Sequence, residues 1–272
     1  MPHPFSVALL RAALRLASIS DLPDPARASV QYGSRLVLTD GEQADERAID
    51  DLRARLGTSL AEVEVVDFGA GSRGGKKAPV RRVADVYRRA ATGPTWGRFL
   101  YGLVRGPRPK SVLELGTNLG VGAAHLASAL ARNERQHGVP GRLVTLEGAP
   151  AYAEIARDAM EGLGLADRVE VVVGSFAETL AGVCEREGPF DLVFIDGHHE
   201  AEATARYVEQ IRPHLAPGAL VILDDVEPSR PVRKTWRRLA EDAAGSAWLW
   251  KYGLLVFDDH SPRTAIRGAR RA

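Results

Sequence analysis

The chain has 272 residues, 45% hydrophobic and 26% charged, an ordinary globular composition that suits one large α/β domain with an extension, or two small domains. Its 36 basic and 35 acidic residues leave a net charge of +1, so nothing in the balance asks for nucleic acid as the main partner. The single cysteine, Cys184, excludes an intrachain disulfide and a cysteine-rich metal cluster, and no apolar run nears the ~18 residues of a membrane span. A reducing cytoplasm is the expected compartment.

Residues 5–18 place Leu9, Ala13 and Leu16 on one helical face. They carry Arg11 and Arg15 but no acid, a short apolar run and no A-x-A site, so an amphipathic docking helix is expected rather than a signal. A break follows at Asp21–Pro25. Residues 34–38 read as a short strand and Ala44–Leu56 as a charged helix closed by Gly57. Val63–Phe68 reads as a strand, and Gly69–Gly74 then spells G-x-G-x-x-G. A dinucleotide fold requires a second parallel strand ending in an acid within about thirty residues. Here two helix-like runs follow instead, Val80–Ala91 and Trp96–Val104. A P-loop fails as well, since Lys76 comes one residue late and position 77 is Lys. The stretch reads as a glycine-rich turn with a basic rim (Arg73, Lys76, Lys77, Arg81, Arg82), able to seat an anion or to line an entrance. Phe99, Leu100, Leu103 and Val104 read as core, while Trp96 and Tyr101 are candidates to face a substrate.

From residue 111 strands and helices alternate, the signature of a parallel sheet. The expected strands are Ser111–Leu115, Arg142–Leu146, Val169–Val173, Asp191–Ile195 and Leu220–Leu223. The expected helices are Gly120–Arg132, Tyr152–Leu163, Phe176–Glu187, Glu200–Leu215 and Pro231–Ala244, with a polar loop at Asn133–Gly141. A hairpin around Tyr252–Gly253 joins Ala247–Lys251 to Leu254–Phe257. Ligands of open α/β sheets bind at the C-terminal strand ends, so each strand end is a candidate site.

The first strand ends in an acid-x-Gly-x-x-x-Gly-x-Gly turn at Glu114, Gly116, Gly120 and Gly122, with Thr117 and Asn118 inside it. Gly116 lets the chain turn, and Gly120 and Gly122 open the helix N-terminus to a ligand. This turn resembles motif I of class I S-adenosylmethionine (SAM) methyltransferases. Glu147, 31 residues after Gly116 and followed by Gly148, ends the second strand, where a carboxylate can accept both ribose hydroxyls of an adenosine. Ser175 and Phe176 end the third strand, where methyltransferases place adenine. Ser175 with Glu178 also reads as a helix cap, and both roles can hold together. The fourth strand ends in Asp196-Gly-His-His199 and the fifth in Asp224-Asp225. Such carboxylate clustering needs a cation or donor to neutralise it, and oxygen ligands favour Mg²⁺ or Ca²⁺.

Residues 111–258 thus resemble a class I SAM-dependent methyltransferase. Ile-Asp-Gly-His-His resembles the Ile-Asp-Gly-x-His motif of small-molecule O-methyltransferases. The 28-residue spacing from Asp196 to Asp224 matches the metal-ligand spacing of catechol O-methyltransferase-type enzymes. The resemblance implies a seven-stranded Rossmann-like sheet, mostly parallel with the last strand antiparallel, helices on both faces and a mainly helical N-terminal extension. It implies a SAM site at Glu114, Gly116, Thr117, Asn118, Gly120, Gly122, Glu147, Gly148, Ser175, Phe176 and Asp196. It implies a Mg²⁺ site at Asp196, Asp224 and Asp225, the last standing where those enzymes carry asparagine.

The expected reaction carries a methyl group from SAM to a hydroxyl oxygen, with Asp196 and His199 as catalytic residues. His199 stands where the catechol enzymes place a lysine, and a histidine near pH 7 suits a base; it equally suits capping the helix at Glu200. The expected division is 1–105 as extension and substrate lid, 106–260 as methyltransferase domain and 261–272 as basic tail. The expected partners are a small-molecule acceptor and a second copy of the chain, not nucleic acid or membrane. Two alternatives stay open: an NAD-linked oxidoreductase using Gly69–Gly74, and a non-catalytic SAM-binding domain.

Overall fold

The computed structural model describes residues 22–35, 37–64, 80–198, 200–227 and 230–258. The helix at 5–18, the Gly69–Gly74 turn, His199 and the basic tail lie outside them. Among the described residues no helix is long and apolar enough to cross a membrane.

Two helices come first, α1 (Asp24–Gly33) and α2 (Asp40–Thr58). The strand expected at 34–38 is absent among its described residues, because Thr39 already caps α2. The Thr39 hydroxyl accepts from Glu42 N–H (3.3 Å) and the Glu42 carboxylate accepts from Thr39 N–H (2.9 Å), a reciprocal capping box. A short antiparallel pair, β1 (Glu62–Glu64) and β2 (Val80–Arg82), precedes α3 (Val83–Ala90) and α4 (Pro94–Arg105). Val80–Arg82, expected as helix, is strand because it pairs with β1.

The main sheet contains β3 (Ser111–Leu115), β4 (Arg142–Glu147), β5 (Val169–Val173), β6 (Phe190–Ile195), β7 (Leu215–Leu223), β8 (Gly245–Leu249) and β9 (Tyr252–Phe257). Its order is β5-β4-β3-β6-β7-β9-β8. The first five strands run parallel, and β9 lies antiparallel between β7 and β8. The intervening helices are α5 (Val121–His137), α6 (Pro150–Gly162), α7 (Phe176–Glu187), α8 (Ala201–Ile211) and α9 (Val232–Glu241). The seven-stranded fold expected from the resemblance is the one found.

Strand side chains alternate between faces, and here both faces are apolar. Val112, Leu192, Phe194, Leu220 and Ile222 pack with α4 and α5. Leu113, Leu115, Val193, Ile195, Val221 and Leu223 pack with α7, α8 and α9. Burial on both faces is what a parallel sheet requires. The first of these cores continues into Leu22, Val30, Ile49, Leu52 and Phe99, so the described N-terminal helices share it with the sheet.

Several boundaries differ from expectation: the helix expected at Glu200–Leu215 ends at Ile211 and the one expected at Pro231–Ala244 ends at Glu241. α5 runs through Asn133 to His137, closed by Gly138 in the left-handed region (φ 64°). Asn133 stays helical because Arg105 donates to its side chain, which in turn donates to Val104 C=O at 3.0 Å. β7 starts at Leu215, since a register shift absorbs Pro217 and Gly218. The final hairpin turns at Trp250–Lys251, two residues before the expected Tyr252–Gly253.

Candidate functional site

The parallel strands end along one edge, and a cleft of about 450 Å³ opens there. Its floor holds Gly116, Thr117, Asn118 and Gly122 from the β3–α5 turn, with Asp196, Asp224 and Asp225 beyond them. Arg89–Gly93, leading from α3 into α4, forms a wall, and Arg230 and Lys251 stand at the far side.

The glycine turn is built by close approach. Gly116 has φ +104°, and a Cβ there would lie 2.2 Å from the Asp196 carbonyl oxygen, so only glycine lets β3 and β6 end side by side. A Cβ at Gly122 would lie 2.6 Å from Glu114 Oε1. Gly122 therefore makes room for the buried acid of the motif as much as for a ligand. Gly120 meets Ala156 on α6 rather than the cleft.

Glu114 is 1% exposed. Thr145 donates to its Oε2 at 2.6 Å, and Oε1 has no hydrogen-bond partner among the described residues. Thr117 pairs with Thr145 at 2.5 Å, which fixes the chain of hydroxyls beneath the turn. Burial pushes the Glu114 carboxyl up to about 8; the Thr145 bond opposes this and the Glu147 charge adds to it.

Glu147 sits at the end of β4, beside the turn. Its carboxylate accepts from Asn118 N–H (2.7 Å) and Ala149 N–H (2.8 Å), and Gly148 N–H also serves it. Burial still leaves its carboxyl above the ordinary range. Each carboxylate oxygen has a further lone pair for a hydroxyl. The Ser175 hydroxyl and N–H both donate to Glu178 (2.7 and 3.1 Å), so the capping role is realised. Phe176 packs edge-on against Tyr207, with ring centroids 5.4 Å apart, and close to Gly197. Glu114, Gly120, Glu147, Gly148, Ser175 and Phe176 do not line the cleft itself; they lie beneath or beside it.

The acidic corner follows from register. Ile195 pairs with Leu223, so Asp196 and Asp224 leave neighbouring strand ends together, and Asp224 N–H donates to Ile195 C=O at 2.9 Å. Burial, and then the Asp224 charge, hold the Asp196 carboxyl well above the carboxylate range. Lys251, which the sequence reading passed over, enters this corner from the β8–β9 turn. Its Nζ lies 2.7 Å from the Asp224 carboxylate and 3.3 Å from Asp225 Oδ1. Burial alone would lower the lysine pKa, but Asp224, Asp196 and Asp225 outweigh it and raise it. Among the described residues no three His, Cys, Asp or Glu side chains converge closely enough to hold a metal ion.

Tyr101 is buried against α2, its hydroxyl donating to Asp45 at 2.7 Å, so it does not face the cleft. Trp96 packs on Tyr252. His198 is hydrogen-bonded to the Tyr207 hydroxyl at 2.7 Å. Non-glycine residues Asn118, His198, Asp225 and Trp250 all adopt positive φ. They lie in the turns that follow β3, β6, β7 and β8.

A family model described as "Methyltransferase domain" matches residues 113–226. A catechol O-methyltransferase of Mycobacterium tuberculosis is 39% identical over 51% of this chain and 58% of its own length. The chain thus spans little more than half of that relative. A "Putative O-methyltransferase" of Mycobacterium sp. (strain JLS) is 31% identical, covering 59% of this chain and 74% of the relative. The crystal structure of an O-methyltransferase from Bacillus cereus in complex with SAH is similar in fold, with a TM-score of 0.53 and 24% identity over 84% of this chain and 96% of that one.

Proposed function

Because the chain belongs to the SAM-dependent O-methyltransferase family, we propose that it moves the methyl group of SAM to a hydroxyl oxygen of a small molecule. The observation that carries this reading is one cleft shared by the glycine turn and the Asp196–Asp224 corner. A donor on the turn and an acceptor over the corner meet in it.

The ribose of SAM takes the free lone pairs of Glu147, and the adenine lies toward Ser175 and Phe176. The acceptor oxygen attacks the methyl carbon in line with the carbon–sulfur bond. That bond breaks, its electron pair stays on sulfur, and the cationic sulfonium becomes the neutral thioether of S-adenosylhomocysteine (SAH). The acceptor's proton passes to a base. Asp196 in the described floor of the cleft is a candidate only in its ionised form, which burial and the Asp224 charge disfavour, and His199, outside the described residues, is the second. Holding the two reactants in line supplies roughly 7–11 kcal/mol of the barrier reduction in favourable cases. The segment 1–105 acts as substrate lid in the sense of a wall, through Arg89–Gly93. The relatives' names make a catechol the first acceptor to assay, and a reducing cytoplasm suits the lone, buried Cys184.

Mg²⁺ matches the oxygen chemistry of Asp196, Asp224 and Asp225. The arrangement of those carboxylates does not fit it, because Lys251 already sits among them. No step of the reaction is therefore routed through a metal.

Titration calorimetry with SAH tests the donor site. The wild type should bind one equivalent. Glu147→Ala should weaken binding on the order of ten- to hundredfold, the loss of hydrogen bonds to a charged acceptor. A wild type that takes up no SAH sinks the methyltransferase reading.

A further inference from the structure

Three carboxylates at the ends of β6 and β7 form a corner that cannot stay uncompensated. Its compensation is covalently part of the chain. β9 pairs with β7 so that Gly253 stands opposite Leu223, and the β8–β9 turn is thereby laid beside Asp224. The turn is fastened there: Val226 N–H donates to Lys251 C=O at 2.8 Å, and Trp248 Nε1 donates to Val226 C=O at 3.1 Å. Trp250, in the left-handed region at φ 66°, makes the bend that sends the Lys251 side chain inward. The ammonium ends 2.7 Å from Asp224 and 3.3 Å from Asp225, with Arg230 Nη2 further out at 3.8 Å from Asp225.

We propose that Lys251 is the resident cation of the acceptor corner and that the chain consequently transfers methyl groups without a divalent metal. The proposal rests on the reading of the cleft as a methyl-transfer site. A Mg²⁺ ion would need one or two of these carboxylates at about 2.0–2.1 Å, with water completing a near-octahedral array. Lys251 holds two of the three carboxylates to itself, and its charge opposes a second cation in the same space. The lysine is also placed to do part of what a metal would do. An ammonium has three N–H donors. Both Asp224 oxygens lie 2.7 Å from it and Asp225 Oδ1 3.3 Å, so an acceptor oxygen in the cleft that Lys251 lines takes the donor now spent on the longer Asp225 contact. A positive donor there favours the oxyanion that attacks the methyl group. Lys251 is thus a candidate contact to the acceptor as well as the partner that orients Asp224.

The test uses Mn²⁺ as a paramagnetic probe of the metal site, added to the full chain in the presence of SAH. The free-Mn²⁺ signal should be undiminished by the wild type and by Lys251→Arg, which keeps the charge. Lys251→Met should bind Mn²⁺ at least about tenfold more tightly than the wild type, and adding Asp224→Asn should abolish that gain. A lysine lying outside the cation's place would leave Mn²⁺ binding unchanged on removal. Stoichiometric uptake of Mn²⁺ by the wild type overturns the proposal. So does a Lys251→Met chain that still binds SAH but gains no Mn²⁺. If Lys251→Met fails to fold, the wild type and Lys251→Arg decide the matter alone: uptake by either overturns it. SAH binding in the same samples reports separately on the methyltransferase reading.

Discussion

Glu114 carries an ionisable group into the core with only one of its oxygens satisfied among the described residues. Its carboxyl is raised from 4.5 to about 8, chiefly by burial. Between those values the folded chain holds a proton that the unfolded chain has released. Stability from this group is therefore full at low pH, falls as pH rises through that window, and levels off above it. Glu114→Gln keeps the shape and an acceptor for Thr145 but removes the titration. Urea melts at about pH 6 and about pH 9 should show the wild type losing on the order of a few kcal/mol more than the variant between the two conditions. Equal losses would place the acid in contact with solvent or a counter-charge that the structure does not contain. The acid's position was readable from motif spacing. Its neutral form was not, because that depends on full burial by the fold and on the charge of Glu147 from the neighbouring strand, against which the Thr145 bond works.

At the scale of elements, α2 is fastened to α1 and α4 by its first turn. Glu42 is buried and accepts from Tyr32 (2.5 Å), Arg105 (3.2 Å) and Thr39 N–H (2.9 Å). Burial pushes its carboxyl up, yet these donors outweigh it and bring it down from 4.5 to about 2. The sign is opposite to that of Glu114: the stabilisation is present above about 4.5 and is lost as pH falls toward 2. Glu42→Gln should cost on the order of 2–4 kcal/mol at neutral pH, with Arg105 left buried beside a neutral partner. The difference should shrink when the melts are repeated near pH 3. The Thr39-x-x-Glu42 spacing stands in the sequence itself, yet the charged helix expected from the sequence starts at Ala44. Strands β3 and β5 and helix α7 could be read to the residue because apolar runs end there at glycine, serine or an acid. β7 was cut short by Pro217 and Gly218, whose usual breaking effect is absorbed in a bulge. The last hairpin was displaced because Tyr252-Gly253 looks like a turn, whereas both residues are buried strand. That slip of two positions hid Lys251, which on the expected hairpin belongs to a strand rather than to the bend.

The whole molecule was legible as a sheet with an extension, but not as one core. Leu22, Val30, Ile49 and Phe99 from the N-terminal helices join Val112, Leu192, Phe194 and Tyr252 in a single apolar cluster. Polar ties reinforce it: Arg132 on α5 meets Asp45 on α2 at 2.6 Å, and Arg105 meets Glu42 at 3.2 Å. The cleft draws on both parts, Arg89–Gly93 for one wall and Asp196, Asp224 and Asp225 for the floor. A ligand in it must therefore stabilise both together. Scanning calorimetry should show the described N-terminal helices and the sheet melting in one transition. SAH at about a hundred times its dissociation constant should stabilise that transition by about 2.7 kcal/mol, a rise of several degrees for a chain of this size. Glu147→Ala at the same SAH concentration should shift it less. Two separate peaks, with only the later one moved by SAH, would mean that the helices before Ser111 fold apart from the sheet and that Arg89–Gly93 contributes nothing to holding the donor.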